Sequence, residues 1–294
     1  MWRLVNDQKE SFQQTYVLSV KIEFDPSIFL YPVMYALMKR RNKATYQTML
    51  ERMIKIHETV SNVPILPFGI SLDMESAPQW AFKTIFGQDL PVVLCAFHLK
   101  QAARKRLKII FPGNQFRAAR LAIGEITNAM VFSPFVSNPD LITELYELWR
   151  KTGRGKSVEI KNKIEKWTDW WDDNYMSTNN HKRYENWNYF DLVCSGVNDC
   201  TNNTSETLNR KFNNTIRHGF KSFSEVADSF FTNKSQFLEE YDERVPNKKL
   251  RLRPPALRLR MEARRKILLA YREKTKEDQV KTYASFINDV RKQL

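Results

Sequence analysis

Residues 70–107 read ISLDMESAPQWAFKTIFGQDLPVVLCAFHLKQAARKRL, and this stretch decides the predicted fold. Two apolar runs, one ending before Asp73 and one at residues 90–97 (LPVVLCAF), are typical of buried strands. A helical pattern follows each run: the first is closed by Gly87, and the second is the basic HLKQAARKRLKII. This alternation of strands and helices predicts an α/β protein.

The flanking residues extend the pattern in both directions. Residues 16–24 (YVLSVKIEF) alternate like a strand, and residues 28–38 (IFLYPVMYALM) predict a second strand, although Pro32 is unusual inside a sheet. Residues 115–175 have helical spacing and no strand-like run, and the last forty residues predict one or two basic helices. A helix is predicted directly after the second strand, from residues at helical spacing: Tyr46, Met49, Leu50, Met53, His57 and Val60.

The charge of the chain favours a polyanionic partner. The formal net charge is +14, and residues 248–294 carry fifteen Lys/Arg against five Asp/Glu. A second basic cluster lies in the helix after residue 97, and it could either bind phosphates or form a solvated helix face. Its members are Lys100, Arg104, Lys105, Arg106 and Lys108. No apolar run is long enough to span a bilayer, and no glycine-rich nucleotide loop is present in the sequence.

Two acids stand at positions where chemistry is expected. Asp73 follows an apolar run directly, and ligands of open α/β sheets gather at the carboxyl ends of strands. Glu206 begins a helical pattern behind a polar turn, in DCTNNTSETLNRKFNN (199–214). Each acid also has a purely structural interpretation, because Asp73 could cap the next helix and Glu206 fits a capping box.

A Cys-x-x-His motif, Cys95 and His98, ends the second apolar run. Together with Cys194 and Cys200 it could form a zinc site, but the second pair lacks the usual spacing of zinc ligands. The alternative is a buried cysteine and a hydrogen-bonded histidine at a strand–helix junction.

Three blocks of the sequence, taken in order, resemble the catalytic domain of Mutator-like element (MULE) transposases. Residues 16–53 resemble the early strand pair and first helix of that family. Residues 70–107 resemble its central block, in which an Asp ends a strand and a Cys-x-x-His opens a helix. Residues 187–213 resemble its later block, in which a Thr-Asn-Asn turn precedes a Glu. The resemblance covers roughly residues 11–220.

The resemblance implies an RNase H-like fold, in which an all-helical insertion interrupts a mixed sheet. Here a basic helical tail follows. It also implies a DDE reaction, in which two Asp and one Glu hold two Mg²⁺ or Mn²⁺ ions for attack by water or a 3′-hydroxyl on a DNA phosphodiester. By position, Asp73 is the second acid and Glu206 the third, and both are expected to bind metal.

The remaining residues of these motifs are expected to support the site. Cys95 and His98 match the Cys-x-x-His of the family, and Asn202 and Asn203 form the turn that presents Glu206. The five basic residues between Lys100 and Lys108 are expected to contact DNA. The predicted domains are a first core part at 1–98, the helical insertion at 99–200, returning core helices at 201–245 and the tail at 246–294.

This sequence differs from the family at the first catalytic acid. The family carries it in an Asp-Gly-Thr-Phe-like motif, whereas this sequence contains no Asp-Gly-Thr. Asp7 is the one acid offered by position, but Gln8-Lys9-Glu10 follows it and its spacing to Tyr16 is too short. The sequence therefore predicts a transposase domain that is truncated or degenerate at its N-terminus, with impaired or lost activity.

Two further hypotheses stand beside an active transposase. One is a catalytically dead, transposon-derived DNA-binding protein, which needs only the fold and the basic surfaces. The other is a helical protein-interaction module, which the strand-rich first hundred residues disfavour. DNA is the expected partner, a second copy of the chain is another candidate, and the nucleus is the expected location.

Overall fold

The computed structural model describes residues 4–5, 11–12, 14–24, 27–176, 183–196 and 254–294, with 228, 230–232, 235 and 238–239. Side chains are described within these ranges from residue 16 onward, except at 21–31. The described part of the chain is mostly helical with a small content of strands, which is compatible with the predicted α/β class. From residue 14 to residue 110 the elements follow the predicted order of strand, strand, helix, strand, helix, strand, helix.

The described strands form three separate pairs, β1 with β2, β3 with β4 and β5 with β6. These strands are β1 (Leu4–Val5), β2 (Ser11–Phe12), β3 (Gln14–Phe24), β4 (Ser27–Met38), β5 (Ile70–Leu72) and β6 (Val92–Leu94). Within the described part of the chain no strand joins these pairs into one mixed sheet.

The helices fill most of the remaining described sequence. They are α1 (Lys43–Ser61), α2 (Ser76–Phe86), α3 (Ala96–Ile110), α4 (Gln115–Ala119), α5 (Glu125–Met130), α6 (Leu141–Lys151), α7 (Val158–Trp171), α8 (Tyr184–Trp187), α9 (Phe190–Cys194), α10 (Pro255–Arg272) and α11 (Lys276–Arg291). Two π-helical turns, Arg120–Gly124 and Asp172–Met176, continue α4 and α7.

The described residues divide into two compact units. The first draws on 1–70, 75–90 and 202–253, and the second on 71–74, 91–201 and 254–294. Each unit is assembled from segments that are far apart in sequence, and the predicted domain boundaries stay a prediction.

In the first unit, the β3–β4 hairpin and helices α1 and α2 form the described core. Asn42 caps α1 by accepting a hydrogen bond from Thr45 N at 2.9 Å. Tyr46 is buried and meets Tyr16 of β3 edge to face, with ring centroids 5.3 Å apart. Gly87, with a φ of 108°, ends α2 at the predicted residue.

The hairpin accommodates Pro32 through an irregularity in its register. Leu18 pairs with Met34 and Ser19 with Pro32, so Val33 is an extra residue on β4. Proline lacks the N–H that a regular ladder requires, and a bulge is a position where this loss is tolerated. The strand predicted at 28–38 therefore forms despite its proline.

In the second unit, helices α3 to α11 pack around an aromatic core. Trp149 meets Trp167 edge to face at 5.8 Å, and Trp171 meets Trp187 at 6.1 Å. The four indoles are fully buried: Trp149, Trp167, Trp171 and Trp187. This cluster joins α6, α7 and α8 of the predicted helical region.

The C-terminal helices α10 and α11 are part of this core. Thr275 caps α11, and the rings of Tyr271 and Phe286 stack at 3.9 Å between the two helices. Tyr283 is fully buried and hydrogen-bonds Ser133 at 2.8 Å. The basic tail is thus a helical hairpin with one face packed against the middle of the chain.

Candidate functional site

The carboxyl ends of β5 and β6 are hydrogen-bonded neighbours. The N–H of Cys95, which follows β6, donates to the carbonyl of Leu72, the last residue of β5, at 2.8 Å. Because the two strands end side by side, Asp73 and Cys95 lie at the same edge, where ligands of open α/β sheets gather. Asp73 is half-buried there, and Cys95 is fully buried.

Tyr189, which is distant in sequence, holds the turn between β6 and α3. The Tyr189 hydroxyl donates to the Leu94 carbonyl at 2.6 Å and accepts from the Ala96 N–H at 3.2 Å. These two bonds bracket Cys95 and fix the start of α3. His98, in the first turn of α3, is half-buried and contacts the ring of Phe97 at 5.7 Å.

Both described cysteines are buried. Cys95 and Cys194 form no disulfide, and burial raises the pKa of the Cys194 thiol above its usual value. Cys200, the fourth member of the alternative zinc site, lies outside the described residues. The zinc alternative stays a prediction.

The predicted metal site falls only partly within the described structure. Among the described residues no group of three or more His, Cys, Asp or Glu could hold a metal ion. The candidates that lie outside the described residues are Asp7, Asn202, Asn203 and Glu206. The structure therefore brings Asp73, Cys95 and His98 to one edge and leaves the pairing of Asp73 with Glu206 a prediction.

Glu75 is an acid close to Asp73 in sequence that the sequence reasoning did not consider. Its carboxylate accepts a hydrogen bond from the Tyr46 hydroxyl at 2.9 Å and pairs with Arg41 at 3.3 Å. Since each oxygen is engaged by a protein donor, Glu75 stabilises the packing of α1 against α2. No local pattern in the sequence points to these partners.

The basic helix α3 has one buried side and one exposed side. Its buried positions repeat at helical spacing: Ala96, Leu99, Ala103, Leu107 and Ile110. Arg104, Lys105 and Lys108 are exposed, and no acidic side chain pairs with them in the described part of the chain. Three of the five predicted DNA contacts are therefore available to solvent and to a ligand.

The other two predicted contacts have different surroundings. Lys100 is half-buried. The Arg106 guanidinium lies over the ring of Trp170, 5.6 Å from its centroid, and no described residue forms a hydrogen bond with its buried Nε. Arg106 thus contributes to packing between α3 and α7.

Comparisons of the chain with protein-family models, with curated proteins and with solved structures gave no match. None of the helices in the described ranges is both long enough and apolar enough to cross a membrane.

Proposed function

We propose that this chain is a DNA-acting domain of the MULE transposase type, with an RNase H-like arrangement of its core. The observation that carries the proposal is the 2.8 Å hydrogen bond between Cys95 N and Leu72 O. It joins the strand end that carries Asp73 to the one that carries Cys95-x-x-His98. An acid beside this motif is the arrangement that the sequence resemblance implies.

Asp73 and Glu206 are the residues proposed to hold divalent metal. Carboxylate oxygens are the ligands that Mg²⁺ and Mn²⁺ prefer, and Asp73 is half-buried at a strand end, so this donor fits. The chemistry supplied by a bound metal pair is activation of water or of a 3′-hydroxyl for in-line attack on a phosphodiester. Glu75 is a poor third ligand because Tyr46 and Arg41 occupy its oxygens.

The exposed cations of α3 are proposed to hold the DNA backbone. Arg104, Lys105 and Lys108 have no acidic partner in the described structure, so a phosphate can neutralise them without breaking an ion pair. DNA affinity should then fall steeply as the salt concentration rises. A DNA substrate is consistent with a nuclear location, which is proposed with it.

A DNA-binding protein that no longer cuts is the second candidate. The observation that favours it is the sequence itself, which contains no Asp-Gly-Thr motif to supply the first acid. The exposed cations of α3 serve this function equally well, because phosphate binding requires no catalytic acid.

The decisive experiment is a DNA-nicking assay with Mg²⁺ or Mn²⁺ on the full chain and on Asp73→Asn and Glu206→Gln. If both acids bind metal, each variant lowers the nicking rate by more than the roughly 10- to 100-fold loss caused by changing a residue that only orients a metal ligand. Asp89→Asn is the matched control, because Asp89 is an exposed acid in the turn before β6 and should nick like the parent.

The same samples are tested for DNA binding at several salt concentrations. No nicking together with salt-sensitive binding supports the DNA-binding protein that does not cut. Nicking that survives both substitutions contradicts the proposed roles of Asp73 and Glu206. Absence of any DNA binding contradicts both candidate functions.

A further inference from the structure

The first turn of α3 exposes an aromatic ring. Phe97 is 37 % exposed, although the residues on either side of it, Ala96 and His98, are buried and half-buried. A single exposed apolar side chain is common on protein surfaces and indicates nothing alone. Its neighbours along the helix give this one a chemical context.

Phe97 shares one side of α3 with polar and basic side chains. Phe97, Gln101, Arg104 and Lys108 follow one another at steps of four, three and four residues. These steps place the four side chains in one stripe along the helix. All four are exposed, and the buried positions of α3 lie on the other side. Arg104 and Lys108 have no acidic partner in the described part of the chain.

The aromatic end of this stripe lies next to the candidate metal-binding edge. Phe97 is two residues after Cys95, whose N–H bonds the carbonyl of Leu72, and Asp73 follows Leu72 directly. The Tyr189 hydroxyl holds this turn on both sides of Cys95, so the backbone that carries Phe97 is fixed relative to the edge. The stripe therefore runs from the edge outward as one aromatic ring followed by two cations.

An aromatic ring followed by unneutralised cations is the arrangement that binds single-stranded nucleic acid, in which bases stack on rings and phosphates meet the cations. We propose that Phe97 is a stacking platform for an unpaired nucleobase of DNA, with Arg104 and Lys108 binding phosphates of the same strand. The inference rests on the proposed function. It adds the substrate class, which is DNA with an unpaired nucleotide beside the phosphodiester to be cut.

Binding of the full chain to a labelled single-stranded 20-mer and to the matching duplex tests this inference by fluorescence anisotropy. Phe97→Leu keeps an apolar side chain and removes the aromatic face. We expect it to lower the single-strand affinity on the order of tenfold and to leave the duplex affinity within about twofold. Phe97→Trp should retain the parent affinity for both.

A second readout reports stacking directly. A 2-aminopurine base in the single strand should lose fluorescence on binding the parent chain and Phe97→Trp, and keep it on binding Phe97→Leu. Phe231→Leu is the matched control, because Phe231 is an exposed phenylalanine of the same chain, 67 % accessible, and should bind both DNAs like the parent. The double variant Arg104→Ala, Lys108→Ala should bind both DNAs more weakly, and its affinity should depend less on the salt concentration.

The outcomes separate the inference from the function on which it rests. If the parent binds DNA and Phe97→Leu leaves the single-strand affinity and the 2-aminopurine signal unchanged, the stacking site is overturned and the proposed function stands. Equal losses of affinity for the single strand and the duplex also overturn it, because the loss of stacking on an unpaired base should not weaken binding of a duplex. If the parent binds neither DNA, the proposed function fails and the inference fails with it.

Discussion

At the scale of single residues, Tyr189 organises the candidate site without being part of a recognisable motif. Its hydroxyl satisfies the Leu94 carbonyl and the Ala96 N–H, which lie at the end of a strand and the start of a helix, where ladder and helix bonds are incomplete. The side chain is buried, so water cannot replace these bonds. Tyr189 is therefore a positioning residue for the turn that carries Cys95.

Tyr189→Phe should destabilise the chain by about 1–3 kcal/mol, because two buried backbone groups lose their partner. Urea denaturation followed by circular dichroism measures this loss. Tyr175→Phe is the matched control, since Tyr175 is also buried and its hydroxyl has no hydrogen bond in the described structure. Equal stabilities of the two variants would show that the Tyr189 hydroxyl does not hold the turn.

Arginines of this chain have different roles that composition cannot separate. Arg104 and Arg106 both belong to α3. Arg104 is exposed, whereas the Arg106 guanidinium lies over the ring of Trp170 in α7. In α10, the Arg264 guanidinium lies 4.4 Å from the centroid of Phe132 and is almost fully buried. Part of the charge of +14 therefore contributes to packing and is not exposed at the surface.

At the scale of elements, the turn between α6 and α7 requires close approach of the backbone. A Cβ added at Gly153 would lie 2.7 Å from Ile164 Cδ1 and 3.3 Å from the Arg150 carbonyl oxygen. Ile164 is itself buried in the tryptophan core and has little room to move. Ser157 then caps α7 by accepting from Ile160 N.

Gly153→Ala should lower the free energy of unfolding by about 1–3 kcal/mol, because the added methyl overpacks the contact between α6 and α7. Gly155→Ala provides the comparison. Gly155 has a φ of 69° and open space around its Cα, so its cost of about 1 kcal/mol comes from backbone strain alone. Thermal unfolding of both variants decides the matter, and a larger loss in Gly155→Ala would contradict the steric argument.

At the scale of the whole molecule, the second unit depends on contacts between residues far apart in sequence. Asn138 donates to Gln279 at 3.0 Å and to the carbonyl of Lys276 at 3.1 Å. With the bond between Ser133 and Tyr283, these contacts tie α11 to the segment after α5. The basic C-terminal residues therefore complete the core of this unit as well as adding charge to it.

Buried tyrosines of the second unit predict loss of stability at alkaline pH. Burial raises the pKa of Tyr175 from 10.0 to about 12, and it also raises the pKa values of Tyr146, Tyr271 and Tyr283. The unfolded chain releases these protons first, so this stabilisation is complete below about pH 10 and is lost as the pH rises towards 12.

Absorbance of tyrosinate at 295 nm and circular dichroism at 222 nm, recorded together against pH, test this prediction. Part of the tyrosine signal should develop only with the loss of helix, above about pH 10. Tyr175→Phe should lose stability less steeply in that range. Ionisation of all eleven tyrosines near pH 10 with the helical signal intact would contradict it.

Local patterns in the sequence predicted the order of elements from residue 14 to residue 110 and the end of α2 at Gly87. These features depend on residues at most a few positions apart, through strand alternation, helical spacing and the backbone freedom of glycine. Helical spacing predicts a shared apolar face for Tyr46 and Val60 in α1. Tyr46 is buried, whereas Val60 is 81 % exposed. Spacing identifies a helix face and does not say how far along the helix a neighbouring element covers it.

The surroundings of the candidate site depend on the tertiary packing. It placed the Tyr189 hydroxyl at both sides of Cys95, the Arg106 guanidinium over Trp170 and the Tyr46 hydroxyl on Glu75. It also decided that Phe97 is exposed beside the edge that carries Asp73. The partners in each of these contacts are tens of residues apart, and their meeting depends on how whole elements pack, a property that no local periodicity encodes.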